Sequence, residues 1–252
     1  MSSMTNQQSN AMTQFVVVVP AAGIGKRMQA VCPKQYLTIN NLTILEHTIE
    51  RLLSHPKIEK IILSLNKNDD YFEKTSLANR KNVITVLGGE ERVDSVLAGL
   101  TAFDKDEYPW VMVHDAARPC ITHKDIDALI ESCIHNKEGG LLAVPVRDTM
   151  KREAPYINKK GNKNPQVKTT VERSTLWHAL TPQMYRTKVL ITAITQAQAD
   201  QQILTDESSA IEYVQLTSLL VQGSSENIKI TQPDDLALAT FILAKQQETV
   251  CE

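Results

Sequence analysis

The sequence predicts an α/β protein with a mainly parallel sheet flanked by helices, and three observations carry that expectation. Short β-branched apolar runs, 16–19 and 110–113, are bounded by Pro, Gly or Asp and read as buried strands. Helical patterns alternate with such runs, as they do where parallel strands are joined by crossovers. Glycine-bearing and charged motifs follow the strands directly, at the carboxyl edge where open parallel sheets bind ligands.

The 252 residues suffice for one large domain, taken as 15–247, with an insertion at about 148–175 and tails at 1–14 and 248–252. With 42% hydrophobic and 22% charged residues and a net charge of −2, nothing points to nucleic acid or an anionic membrane as partner. Residues 1–14 are polar and lack the basic and apolar regions of a signal peptide, so a disordered tail and a soluble, cytoplasmic protein are expected. Cys32, Cys120, Cys133 and Cys251 form no Cys-x-x-Cys pair and read as reduced thiols. Cys120, His123, Cys133 and His135 include metal-ligand types, but their spacing matches no zinc module.

Element by element, residues 16–19 open the chain as a strand. Thr43 with Glu46 three residues on starts a helix through residue 53. Strands are expected at 58–65, 82–87, 110–114 and 141–146, with a short helix at 69–79 and another after Gly88-Gly89. Residues 153–168 are polar and lysine-rich, and 169–173 is strand-like. The two make a β-hairpin that leaves the main sheet and needs a partner surface. Residues 188–199 read as a helix. Thr205-Asp206-Glu207-Ser208 caps another, which is a sufficient explanation of Asp206 and Glu207. Residues 227–229 read as a strand, followed by a helix started by Pro233.

The chemistry gathers after the first strand, in Val16-Val-Val-Val-Pro20-Ala-Ala-Gly23-Ile-Gly25-Lys26-Arg27-Met28 and Pro33-Lys34-Gln35-Tyr36. Gly23 and Gly25 can take positive φ and leave room for backbone N–H groups to approach an anion, and Lys26, Arg27 and Lys34 add three cations. A polyphosphate suits that combination. The loop is neither a Walker loop nor a dinucleotide fingerprint, lacking Gly-Lys-Ser/Thr and the third glycine. Gly88-Gly-Glu-Glu-Arg92-Val-Asp-Ser95 ends a strand and begins a helix; plain capping or a nucleotide contact both account for Arg92 and Ser95. In His114-Asp115-Ala-Ala-Arg118-Pro119, Asp115 is placed to hold Mg²⁺, directly or through water, or simply to cap a helix. His114 reads as structural.

These motifs, in this order, resemble the nucleotidyltransferases of sugar and polyol phosphates. More closely, they resemble the cytidylyltransferases acting on 2-C-methyl-D-erythritol 4-phosphate in the non-mevalonate isoprenoid pathway. The resemblance spans residues 15–244. It implies a Rossmann-like fold, transfer of a cytidylyl group from CTP, a divalent cation such as Mg²⁺, and an arm exchanged between subunits of a homodimer. It places Ala21, Ala22, Gly23, Gly25, Lys26, Gly89, Arg92 and Ser95 at the nucleotide and Arg27 and Lys34 at the transition state. Thr149, Arg173, Lys229, Asp115 and Arg118 would position the acceptor. Another polyol phosphate, such as a ribitol phosphate, or a purely nucleotide-binding role are the alternatives.

Overall fold

The computed structural model describes residues 13–23, 32–157 and 163–248. Seven strands form the central sheet: β1 (Phe15–Pro20), β4 (Ile58–Leu65), β5 (Val83–Leu87), β6 (Trp110–Val113), β7 (Gly140–Pro145), β10 (Trp177–Arg186) and β11 (Leu219–Gln222), in the order β11-β7-β10-β6-β1-β4-β5. All run parallel except β10, which is antiparallel to both neighbours. Two small antiparallel pairs stand apart, β2 (Thr38–Ile39) with β3 (Leu42–Thr43) and β8 (Met150–Ile157) with β9 (Lys163–Val171).

The alternation of β1 explains the layers. Val17 and Val19 face a core shared with Leu45, Ile49 and Leu52 of α1 (Ile44–Leu53) and Ile126, Leu129 and Ile130 of α3 (His123–Asn136). Val16 and Val18 face the opposite core, with Val96 and Leu100 of α2 (Arg92–Leu100), Leu190 and Ile194 of α4 (Thr187–Ala199) and Ile211 of α5 (Glu207–Tyr213). A strand covered on both faces requires a continuous apolar run, which is what the four valines provide. A third cluster joins Ile44, Ala117, Cys120 and Ile230 to Ala239, Ile242 and Leu243 of α6 (Pro233–Glu248). Cys133 lies in the first core and Cys120 in the third, and burial pushes both thiols up to about 12. Among the described residues no helix is long and apolar enough to cross a membrane.

Several expected elements are realised in detail. Thr43 and Glu46 form the reciprocal capping box of α1, with Glu46 N donating to Thr43 Oγ1 at 3.1 Å and Thr43 N donating to Glu46 Oε2 at 2.8 Å. Others are corrected. Residues 69–79 hold only a 3₁₀ turn at Phe72–Lys74 and no α-helix. The Asp69 carboxylate accepts from the Tyr71 and Phe72 amides, and the Thr75 hydroxyl donates to Phe72 O, so side chains compete for the backbone a helix would use. Residues 227–229 form no strand: Asn227 Nδ2 donates to Thr181 O, Arg118 Nη1 to Asn227 O, and Ile230 N to Ala117 O, so side chains and a neighbouring loop tie the segment down. Strand β10 continues through Pro182 because the register slips between Ala179 and Gln183, where no ladder N–H is needed.

Candidate active site

Strands β1, β5 and β6 deliver their loops to one cavity of about 300 Å³ at the sheet's carboxyl edge, lined by Ala21, Ala22, Gly23, Lys34, Gly89, Arg92, Ser95, Asp115 and Lys229 among others. The opening loop is held from three sides. Ala21 N donates to Ser64 O at 2.9 Å, Gln35 Nε2 donates to Ala21 O at 2.8 Å, and Asn66 Nδ2 donates to Ala22 O at 3.3 Å. Gly23 has open space beside its Cα and is not in the left-handed region, so the positive φ considered for it is not used. Gly25, Lys26 and Arg27 lie outside the described residues. Lys34, in a short 3₁₀ turn, donates from Nζ to Ile230 O at 3.0 Å, beside Lys229.

The second loop is shaped by exclusion. A Cβ on Gly88 would come within 2.6 Å of Ala22 Cβ, so a side chain there would force the two loops apart. A Cβ on Gly89 would come within 2.2 Å of Asp94 Cβ. Gly89 N donates to Ser95 Oγ at 3.2 Å, and that hydroxyl lies 3.4 Å from Glu91 O. Ser95 is therefore buried and engaged with its own loop, holding Gly89 in place.

Asp115 is the electrostatic centre. Its Oδ1 accepts from Arg92 Nε at 3.2 Å, and its Oδ2 meets Lys229 Nζ at 2.9 Å and Arg118 Nε at 3.3 Å. Burial alone would raise the Asp115 carboxyl, but Arg92, Lys229 and Arg118 outweigh it and hold it well below the usual carboxylate range. Arg92 reaches further, donating from Nη1 and Nη2 to the two oxygens of Glu207 at 2.6 and 3.2 Å. Glu207 is only 2% exposed, so capping, which accounts for Asp206, does not account for it. Sequence reasoning missed this role because a helix-start carboxylate already has a local explanation.

The carboxylates lining the cavity are Glu90, Glu91 and Asp115. Both Asp115 oxygens already face cations, so a divalent ion beside Asp115 would depend on phosphate oxygens for most of its ligands. That donor set fits Mg²⁺ carried by a polyphosphate better than a protein-held metal.

Arg118 and Lys229 also line a second cavity of about 440 Å³ with Arg147, Asp148, His178 and Asn227. Its Arg147-Asp148 pair follows β7 as Asp115 follows β6, a positional signal that was available in the sequence. Thr149 and Arg173 are exposed at the base of the β8/β9 hairpin and line neither cavity. Within one chain, the two predicted arm residues are thus not brought to the others.

His114 is buried, with Nε2 3.1 Å from Arg118 O and Nδ1 3.1 Å from Thr181 Oγ1. Burial lowers it to about 4 from 6.5. A group with a depressed folded pKa contributes stability that is full above its unfolded value and lost as pH falls through the folded one. Unfolding free energy should therefore drop by up to about 3 kcal/mol between pH 6.5 and pH 4 on account of His114, and His114→Gln should flatten that part of a denaturant-midpoint-against-pH curve.

A phosphate-friendly cavity between glycine-bearing loops at the carboxyl edge of a mostly parallel sheet, ringed by Lys34, Lys229 and Arg92, defines an α/β nucleotide-handling enzyme of the nucleotidyltransferase kind. The family model for 2-C-methyl-D-erythritol 4-phosphate cytidylyltransferase (IspD) matches residues 15–245. The chain belongs to that family. A protein of that name from Colwellia psychrerythraea (strain 34H) is 60% identical over 233 residues, 92% of this chain and 96% of its own. One from Vibrio vulnificus (strain CMCP6) is 50% identical over 242 residues, 95% of this chain and 99% of its own. The crystal structure of the Francisella tularensis protein of the same name is 33% identical and superposes with a TM-score of 0.74 over 91% of this chain and 100% of that one.

Proposed function

We propose that the cavity is where a cytidylyl group passes from CTP to the phosphate of 2-C-methyl-D-erythritol 4-phosphate. The enzyme transfers that group with release of pyrophosphate, in isoprenoid precursor biosynthesis. The observation that carries the location is the meeting of the two glycine loops with Lys34, Asp115 and Lys229 around one cavity.

An oxygen of the acceptor phosphate forms a bond to the α-phosphorus, and the bond from that phosphorus to the bridging oxygen of pyrophosphate breaks. The acceptor's second pKa of about 6 makes it largely a dianion at neutral pH, so no general base is required. The barrier is the approach of two polyanions and the charge passing to the leaving group, which fixed cations relieve. Lys34 acts there, Arg27 has the same role by the family motif, and Lys229 and Arg118 hold the acceptor phosphate. Asp115 keeps those two cations oriented. Ala21, Ala22, Gly23 and Gly89 leave backbone groups for the nucleotide; Gly25 and Lys26 join that side by the family motif, Ser95 serves it by holding Gly89, and Arg92 borders it while bound to Asp115 and Glu207. A bound Mg²⁺ would supply charge neutralisation among the phosphates.

The arm supplies what one chain lacks. Among the described residues the β8 and β9 strands pair only with each other, and the side chains described along them are largely exposed, Val167 to 63%. A two-stranded ribbon does not hold alone in water, so it is read as packing on a second copy in a cytoplasmic homodimer, carrying Arg173 and Thr149 to the partner's acceptor site. Residues 15–247 act as one domain around it.

Nucleotide selection tests the reading of the nucleotide side. CTP should be used in preference to UTP, and both far better than ATP or GTP, because backbone groups paired with a 4-amino group are left unpaired by uracil. Pyrophosphate release at equal rates from CTP and ATP would contradict it.

A further inference from the structure

We propose that Glu207 is a positioning residue of the transfer reaction: by gripping the Arg92 guanidinium through both oxygens, it confines Arg92 to one oxygen of Asp115 and leaves the other to hold Lys229, alongside Arg118, at the cavity. The proposal rests on the assignment of Lys229 to the acceptor phosphate.

The chain of contacts is continuous. Arg92 donates Nη1 and Nη2 to Glu207 at 2.6 and 3.2 Å and Nε to Asp115 Oδ1 at 3.2 Å. Asp115 Oδ2 then faces Lys229 Nζ at 2.9 Å and Arg118 Nε at 3.3 Å. A guanidinium presents a planar fork of five donors and seeks two-point contact with a carboxylate. With Glu207 removed, the mostly buried Arg92 has Asp115 as its remaining carboxylate, and a charge in that setting must be compensated. A two-point grip on Asp115 would bring a third cation to Oδ2, which already serves Lys229 and Arg118, and displace Lys229, the more exposed of the two.

Glu207 is itself held firmly. Asp206 Oδ1 accepts from Ser209 N at 3.0 Å, capping α5. Gln183 of β10 donates from Nε2 to Asp206 Oδ2 at 2.9 Å and accepts from Ser208 N at 2.8 Å. The first turn of α5 is thereby fastened to the central sheet on both sides of Glu207, so the carboxylate is delivered to Arg92 by rigid elements. A buried ion pair that served only stability would need no such alignment with Asp115 and Lys229.

The test is a cycle of wild type, Glu207→Gln, Lys229→Ala and the double variant, with kcat and KM for the acceptor measured at saturating CTP and folding checked by thermal melting. Glu207→Gln should raise acceptor KM about tenfold with a smaller change in kcat, and should add less than about twofold in the Lys229→Ala background, because coupled groups are not additive. Glu207→Asp, which keeps the charge on a shorter stem, should recover part of the loss. If Glu207→Gln does not fold, Glu207→Asp takes its place in the cycle, with a smaller rise and the same non-additivity. An equal rise in both backgrounds, or a wild-type acceptor KM in the folded Glu207 variant, overturns the proposal. A wild-type acceptor KM in Lys229→Ala instead refutes the assignment of Lys229 on which it rests.

Discussion

Lys34→Met is expected to lower kcat by about 10²–10³-fold, equivalent to about 2.7–4 kcal/mol, while KM for CTP changes far less. The asymmetry follows from where the charge sits. Ground-state CTP carries its charge spread over the triphosphate and any cation bound to it, whereas the transition state gathers charge on the departing pyrophosphate. Lys34 lines the cavity with the opening loop and Lys229, and its ammonium donates to the Ile230 carbonyl, which places a cation at the phosphates' side of the site. Methionine keeps much of the stem's length and apolar bulk and removes only the cation. Steady-state kinetics at saturating acceptor separate the two parameters. A variant with normal kcat would take Lys34 out of the mechanism.

Mixing two inactive variants should restore about a quarter of wild-type activity. Lys34→Met and Arg173→Ala homodimers should each be nearly inactive, because each site would combine Lys34 of one chain with Arg173 of the other. Random reassociation makes about half of the dimers mixed, and in each mixed dimer one of the two sites has both residues intact. The exposed position of Arg173, outside both cavities lined by Lys229, is what a contribution to a neighbouring subunit requires. Co-refolding with native mass spectrometry to count heterodimers, followed by a pyrophosphate assay, reads the outcome. Heterodimers as inactive as their parents would place Arg173 in its own chain's site.

What the sequence disclosed and what it hid have physical causes. The central strands were legible because β1 and β6 are covered on both faces and so must be apolar throughout, and α1 was legible because Thr43 and Glu46 serve its first backbone groups. The glycine loops and Asp115 were legible because they follow such strands. Strand β10 was not, since Pro182 lies inside it and only a register slip makes that tolerable. Residues 227–229 read as a strand, but the segment's partners are Thr181, Arg118 and, at Ile230, Ala117, all distant in sequence. Glu207 was hidden for the same reason: its local role as a helix-start carboxylate is visible in Thr205-Asp206-Glu207-Ser208, whereas Arg92 lies 115 residues away. Arg92, read as a nucleotide contact, spends three of its donors on protein carboxylates.

The central claim, cytidylyl transfer to one polyol phosphate, is tested most directly by an acceptor screen. The protein is incubated with CTP and Mg²⁺ and, separately, with 2-C-methyl-D-erythritol 4-phosphate, ribitol 5-phosphate and no acceptor, and pyrophosphate release is followed. Rapid release with the methylerythritol phosphate alone, with the cytidine diphosphate adduct recovered, is the expected result. Release with ribitol 5-phosphate instead, or CTP binding without release for any acceptor, would contradict it.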